Sequence, residues 1–307
     1  MGPKKILLQT TIPTAEDDWS VARFTQLAEL LRGQLDDNGN PLYDVTARDR
    51  GPIGKPDPIL STIDRSDFDQ LWLLAVDMGD GLTEEDCEAI SRFRRGGRGM
   101  FVTRDHMDLG SSVCTLGGVG QAHYFHSRQQ DPDPSRRRRD DVETTTIDWP
   151  NFHSGANGDF QEIEIVGAPH PVLSNERSPT GFIRYLPSHP HEGGVGAPDG
   201  EDARVILRGT SRVTGLDFNI AIAFEPGVHG GPAIAESTFH HFADYNWDTN
   251  CGSPSFVTEP PGDGLKRVPD ALEDAQRYAL NIAAWLSGET PAEIREAPAA
   301  SQSVVSA

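Results

Sequence analysis

The chain has 307 residues, with 27 Lys+Arg against 47 Asp+Glu and a formal net charge of −20. Such acidity repels nucleic-acid phosphate and anionic lipid surfaces, which excludes a broad electrostatic footprint for either partner. Three widely spaced cysteines without a Cys-x-x-Cys pair, and a longest apolar run of only Leu71 to Val76, exclude a disulfide framework and a membrane span of about 20 residues; a soluble cytoplasmic protein is the expectation.

Lys5 to Thr10 is a short apolar run without helical period and predicts a buried strand. Thr14 then predicts a helix start, with Glu16, Asp17 and Asp18 in its first turn and Val21, Phe24, Leu27, Ala28 and Leu31 on one face up to Gly33. Tyr43 to Ala47 alternates as a second strand, and the continuous apolar run 71–76 reads as a strand covered on both faces. Thr83 caps the next helix, which buries Cys87, Ile90 and Phe93 and stops at Gly96-Gly97; Met100 to Thr103 is the fourth strand. Strands alternating with helices over short links predict an α/β doubly wound sheet.

From about 117 to 200 the chain is rich in Pro, Gly, His and Asp, with short strand candidates at Phe160 to Val166 and Phe182 to Leu186. This reads as an insertion over the sheet, within one domain spanning 1–287. The basic run Arg136 to Arg139 is answered by Asp131, Asp133, Asp140 and Asp141 and reads as a balanced loop. Regular β pattern resumes at Val205 to Leu207 and Asn219 to Phe224, with Ala233 to Phe239 as the last core strand and Asp270 to Leu286 as a final helix. Residues 288–307 read as a frayed tail.

Ligands of open α/β sheets bind beyond the carboxyl ends of the strands. That rule selects Thr10, Asp77, the run Arg104-Asp105-His106, and the run His240-His241 with Asp244 and Asn246. If the late strand continued through the adjacent His240 and His241, only one could face the pocket, because strand side chains alternate. His189-Pro190-His191-Glu192 is a third candidate, with His191 and Glu192 as metal ligands suited to zinc or another divalent first-row metal. His123-x-x-His126 is a weaker one. No P-loop, no G-x-G-x-x-G after the first strand and no G-x-S-x-G elbow occurs, which argues against these nucleotide sites and against a serine-hydrolase mechanism.

Several segments, taken in order, carry a family resemblance. They are Asp69 to Leu73, Leu82 to Phe93 with Gly96 to Gly99, His170 to Leu173, Glu192, and Gly230 to His241. The chain resembles the class I glutamine amidotransferase-like superfamily, and within it the trehalose-utilisation (ThuA-like) branch. The resemblance implies a flavodoxin-like, mostly parallel sheet with its site at the strand ends, and action on sugar-derived substrates by hydrolysis or isomerisation, with or without a divalent metal. The amidotransferase Cys nucleophile is missing, since the turn after the fourth strand reads Thr103-Arg104-Asp105-His106. His106 and either His240 or His241 match the branch's two histidines.

Two functions follow. One is a hydrolase or isomerase of a small polar, carbohydrate-like molecule, in which His106, Asp105, His240 and Asp244 carry acid–base chemistry and Arg104, Thr10, Asp77 and His241 bind substrate. The other is a non-catalytic ligand-binding module on the same fold, with a contact between copies of the chain through the insertion. Convergence of His106 with His240 or His241 on a carboxylate is the geometric discriminator.

Overall fold

In a computed structural model, residues 2–140 and 144–289 are described, except for the side chains of Cys114 and Thr115. Four strands open the chain, β1 (Lys4–Thr10), β2 (Tyr43–Arg48), β3 (Gln70–Leu74) and β4 (Gly99–Thr103). Helices α1 (Thr25–Arg32) and α2 (Glu84–Arg95) connect them. Next come the short strands β5 (His123–Tyr124), β6 (Phe160–Glu162), β7 (Glu164–Ile165), β8 (Tyr185–Pro187) and β9 (Gly194–Val195). The long strands β10 (Ala203–Thr210) and β11 (Asp217–Phe224), then β12 (Ala233–Glu236), complete the sheet. Helices α3 (Asp244–Trp247), α4 (Gly264–Arg267) and α5 (Pro269–Leu286) close the described chain.

The main sheet has the order β2-β1-β3-β4-β12-β11-β10-β7. Pairing is parallel from β2 through β12 and antiparallel beyond. The parallel part is the flavodoxin-like order, with β12 filling the fifth position after a long excursion from β4. The expected α/β class is therefore present, extended by an antiparallel edge.

The central strands are continuous apolar runs because both faces are covered. Ile6, Leu8, Trp72, Leu74 and Phe101 pack on the side of α1 and α5, while Leu7, Leu71, Leu73, Met100 and Val102 pack on the side of α2. The α2 start follows the sequence reading. Thr83 accepts from Asp86 N–H and Asp86 accepts from Thr83 N–H, a reciprocal capping box.

The first helix differs from expectation. Residues 11–20 are irregular, and α1 begins only at Thr25. Tertiary partners claim the groups that would have capped an earlier start. Thr14 Oγ1 donates to Asp49 Oδ2 at 2.8 Å, and Asp17 accepts from Ser255 N–H at 2.6 Å. The cap of α1 comes instead from Asp244, whose two oxygens accept from Thr25 N–H and Oγ1 (2.9 and 2.6 Å) and from Gln26 N–H (2.8 Å). The late strand also ends early, at Glu236, and Phe239–Phe242 forms a 3-10 turn. The reading of Phe160 to Val166 as one strand divides into β6 and β7, which belong to different sheets. Among the described residues, no helix is long and apolar enough to cross a membrane. Most of the predicted tail lies outside the described residues.

Candidate active site

The carboxyl ends of β4 and β12 meet one segment of the excursion. Asp105 and His106 follow β4, His240 sits in the turn after β12, and His189 and His191 come from the segment between β8 and β9. That segment approaches closely because residue 193 has no side chain. A Cβ on Gly193 would lie 1.8 Å from Arg104 Nη1 and 2.4 Å from the Asp105 carbonyl oxygen. Gly193 N–H donates to Ser237 O at 3.1 Å, tying the segment to the end of β12.

Asp105 is the hub. Its Oδ2 lies 3.0 Å from His106 Nδ1 and 3.6 Å from His240 Nε2, and its Oδ1 lies 3.7 Å from His189 Nε2. Thr238 Oγ1 donates to Oδ1 at 3.0 Å. The His189 and His240 rings stack, with centroids 3.5 Å apart and planes 11° from parallel. His191 stands edge-on to His106 and to His189 at 5.2 and 5.4 Å. Two donor sets each gather within 4.8 Å, Asp105/His189/His240 and His106/His189/His191.

A chain of amides fixes how two of these rings face. Ser188 O can only accept, so Asn246 Nδ2 must be the group pointing at it, at 3.2 Å. The same Nδ2 donates to Asn157 Oδ1 at 2.8 Å. Asn246 Oδ1 then faces His240 Nδ1 at 3.0 Å, and Asn157 Oδ1 faces His189 Nδ1 at 2.8 Å. Both Nδ1 atoms must carry a hydrogen, so the Nε2 atoms are the ones that face Asp105, each with its lone pair in the neutral ring. His189 Nε2 is buried with no hydrogen-bond partner.

Burial alone would raise the Asp105 pKa, but His106, by positive charge and by its hydrogen bond, leads the neighbours that hold it well below the usual carboxylate range. Burial, aided by His240, keeps His189 well below the ordinary histidine value and so neutral.

The site opens into a cavity of about 340 Å³. One wall is apolar, with Trp19, Leu109, Ile147, Phe239 and Phe256; Glu259 and Asp18 are polar members of the lining. Trp19 packs edge-on against His240 at 4.6 Å, so the unwound 11–20 segment contributes directly to the site.

A second buried cluster lies behind the first. His241 is held between two glutamates, with Nε2 at 3.4 Å from Glu192 Oε2 and Nδ1 at 2.8 Å from Glu236 Oε1. Ser154, Gln161 and Ser237 also donate to Glu192, and Tyr278 donates to Glu236. Burial opposes the imidazolium, yet the two carboxylates outweigh it and push His241 up to about 9. Burial raises Glu236. This cluster joins the segment carrying His189 and His191 to the one carrying His240.

The structure thus brings together Asp105, His106, His191 and His240 from the candidates. The other candidates sit elsewhere. Thr10 donates to Asp49 at 2.6 Å, and Asp77 accepts from Ser112 Oγ at 2.8 Å. Arg104 is fully buried over the Phe125 ring and donates to Met107 O at 2.7 Å. Asp244 caps α1, while His241 and Glu192 belong to the second cluster. His123 is buried, and His126 stacks on Trp149. The sequence reading placed His189 in the His189-Pro190-His191-Glu192 candidate but gave the metal-ligand role to His191 and Glu192; the turn at 190–191 instead brings His189 and His191 to this site and Glu192 to the second cluster. Asn157, Trp19 and Glu259 carried no signal in the sequence.

No known family profile matches the sequence, and no curated protein matches it. Among solved structures, the chain is similar to the glutaminase domain of a Trypanosoma brucei CTPS with bound acivicin (12% identity, 93% of this chain and 94% of that one, TM-score 0.48). It is also similar to the cytoplasmic protein STM3548 from Salmonella typhimurium (14% identity, 88% and 98%, TM-score 0.42). A third is Agd3, a carbohydrate deacetylase, of which the match spans only 31% while covering 82% of this chain (12% identity, TM-score 0.40). At such identities and scores these likenesses say nothing of the chain's chemistry.

Proposed function

We propose that the chain is a metal-assisted hydrolase or isomerase of a small polar, carbohydrate-like substrate, with a divalent ion held by Asp105, His189 and His240. The observation that carries this is His189 Nε2, a neutral, buried nitrogen without a hydrogen-bond partner whose lone pair is turned toward a carboxylate and a second imidazole. A tetrahedral zinc site with bonds of about 2.0–2.1 Å sets neighbouring donors roughly 3.3–3.4 Å apart. His240 Nε2 lies 3.6 Å from Asp105 Oδ2 and His189 Nε2 lies 3.7 Å from Asp105 Oδ1, and one donor atom from each of the three residues gathers within 4.8 Å, so a small inward movement brings the set to that edge. Imidazole and carboxylate donors suit zinc and other first-row divalent ions, and the Asn157 and Asn246 amides supply the outer hydrogen bonds that such ligands use.

A bound ion would act as a Lewis acid on a substrate oxygen. The chain's own residues do the rest. His106, in contact with Asp105, and His191, with its Nε2 4.0 Å from Glu259 Oε1, flank the donor set and move protons to and from the substrate. The apolar wall holds the substrate and excludes water from the far side. The motifs resembling the trehalose-utilisation branch support the carbohydrate-like class.

The test is metal content. Protein purified without chelator and offered zinc should retain about one ion, and His189→Ala and His240→Ala should lose it while keeping the fold by circular dichroism. Parent protein that retains no divalent metal, or full retention in both variants, would sink the assignment.

A further inference from the structure

We infer that the pocket takes a substrate without negative charge, neutral or cationic and with one apolar face, and that Glu259 sets this preference; the inference rests on the metal-assisted reading above. Among the described residues, no Lys or Arg lines the cavity, whereas Asp18, Asp105 and Glu259 do. A divalent ion beside Asp105 would leave one net positive charge at the base, which Asp18 and Glu259 more than balance. The arginine nearest in sequence, Arg104, is turned onto Phe125 and lies outside the lining.

Glu259 is placed to act on an entering molecule. It is held by Thr144 Oγ1 at 2.9 Å, and its side chain keeps only 14% exposure. Thr144 and Glu259 thereby join the two loops at the solvent side of the cavity, where Thr146, Phe256 and Thr258 are exposed. Glu259 Oε1 lies 4.0 Å from His191 Nε2, so a carboxylate at this side of the cavity would meet it while the other end of the substrate reached Asp105, His189 and His240. Two like charges about 6 Å apart at an effective dielectric near 40 repel enough to cost about tenfold in affinity. A charge of −20 over the whole chain adds to the barrier. A neutral hydroxyl meets no such penalty, and an ammonium group gains.

Three para-substituted benzohydroxamic acids test this, carrying hydroxymethyl, aminomethyl or carboxylate at the far end. The hydroxamate serves all three at the metal end, so differences report the distal charge. Calorimetry on zinc-loaded protein should give Kd values for the hydroxymethyl and aminomethyl probes at least about tenfold below that of the carboxylate probe. Glu259→Gln should shrink that ratio to about threefold or less, and Asp18→Asn, in the same cavity lining, should shrink it in the same direction. Zinc content is measured on every sample. Zinc-loaded parent that binds the carboxylate probe as well as the others, or binds none of them, overturns the charge inference alone. An undiminished ratio in Glu259→Gln overturns the role of that residue. Parent that holds no zinc overturns the metal reading and this inference with it.

Discussion

Replacing Asn246 by leucine tests the amide chain that orients the site. The side chain is fully buried and makes contacts with His240 Nδ1, Asn157 Oδ1 and Ser188 O at 3.0, 2.8 and 3.2 Å. Leucine is close in size, so the change removes these bonds with little cavity. Each is worth about 1 kcal/mol net, and leaving the His240 N–H and the Ser188 carbonyl buried without partners adds to the loss. The expected destabilisation is about 3 kcal/mol. In a chain of this size that lowers the melting temperature by roughly 5–10 °C. The second effect is specific. With no acceptor at Nδ1, His240 is free to take the other tautomer and turn its N–H toward Asp105. Losing an outer-shell partner of this kind costs about 10–100-fold in metal affinity. Urea unfolding measures the first effect and competition with a zinc indicator the second. Asn246→Asp, which keeps an acceptor at His240 Nδ1, should recover part of the zinc affinity. A variant with less than about 1 kcal/mol of destabilisation and parental zinc affinity would refute the orienting chain.

Asp244→Ala should destabilise the chain by about 2 kcal/mol through the exposed α1 N-terminus and leave zinc affinity unchanged, by the same two assays. A loss of zinc without a loss of stability would return Asp244 to the site. Asp57 is held down to about 2; burial opposes the charged form, but Arg48 and the N–H groups of Leu60, Gly51 and Ile59 outweigh it. Its folded pKa is below the unfolded value of about 3.9, so its contribution, about 2 kcal/mol, is present above pH 4 and lost as pH falls through 2. Acid titration of stability should show this slope, and Asp57→Asn should flatten it. Gly193→Ala should displace the histidine-bearing segment from the end of β4, costing about 2 kcal/mol and most of the zinc retention; a crystal structure with His189 unmoved would contradict the steric account.

The alternation of strands and helices was legible because burial on both faces writes itself into the sequence as runs such as Leu71 to Val76, and because caps such as Thr83 act on neighbours three residues away. The start of α1 was not, since its cap, Asp244, is 219 residues distant from Thr25. For the same reason Thr14 and the acidic residues 16–18 resembled a local helix start while two of them serve Asp49 and Ser255. Part of the site was readable. Asp105, His106 and His240 lie at strand ends, where the rule for open sheets selects them. His189 lies in irregular chain, and Asn157, Trp19 and Glu259, which hold or line the same site, come from three other segments.

The net charge of −20 argues against polyanionic partners by composition alone, since a long-range field depends on the sum of charges rather than their positions. Composition could not say whether the pocket itself held a cation. Arg104 stands beside Asp105 in the chain, yet its side chain turns onto Phe125, while Glu259, far along the sequence, faces the cavity. Periodicity along the chain records which face of an element is covered. It carries no record of which loops are folded over a strand end, and only the tertiary structure decides that.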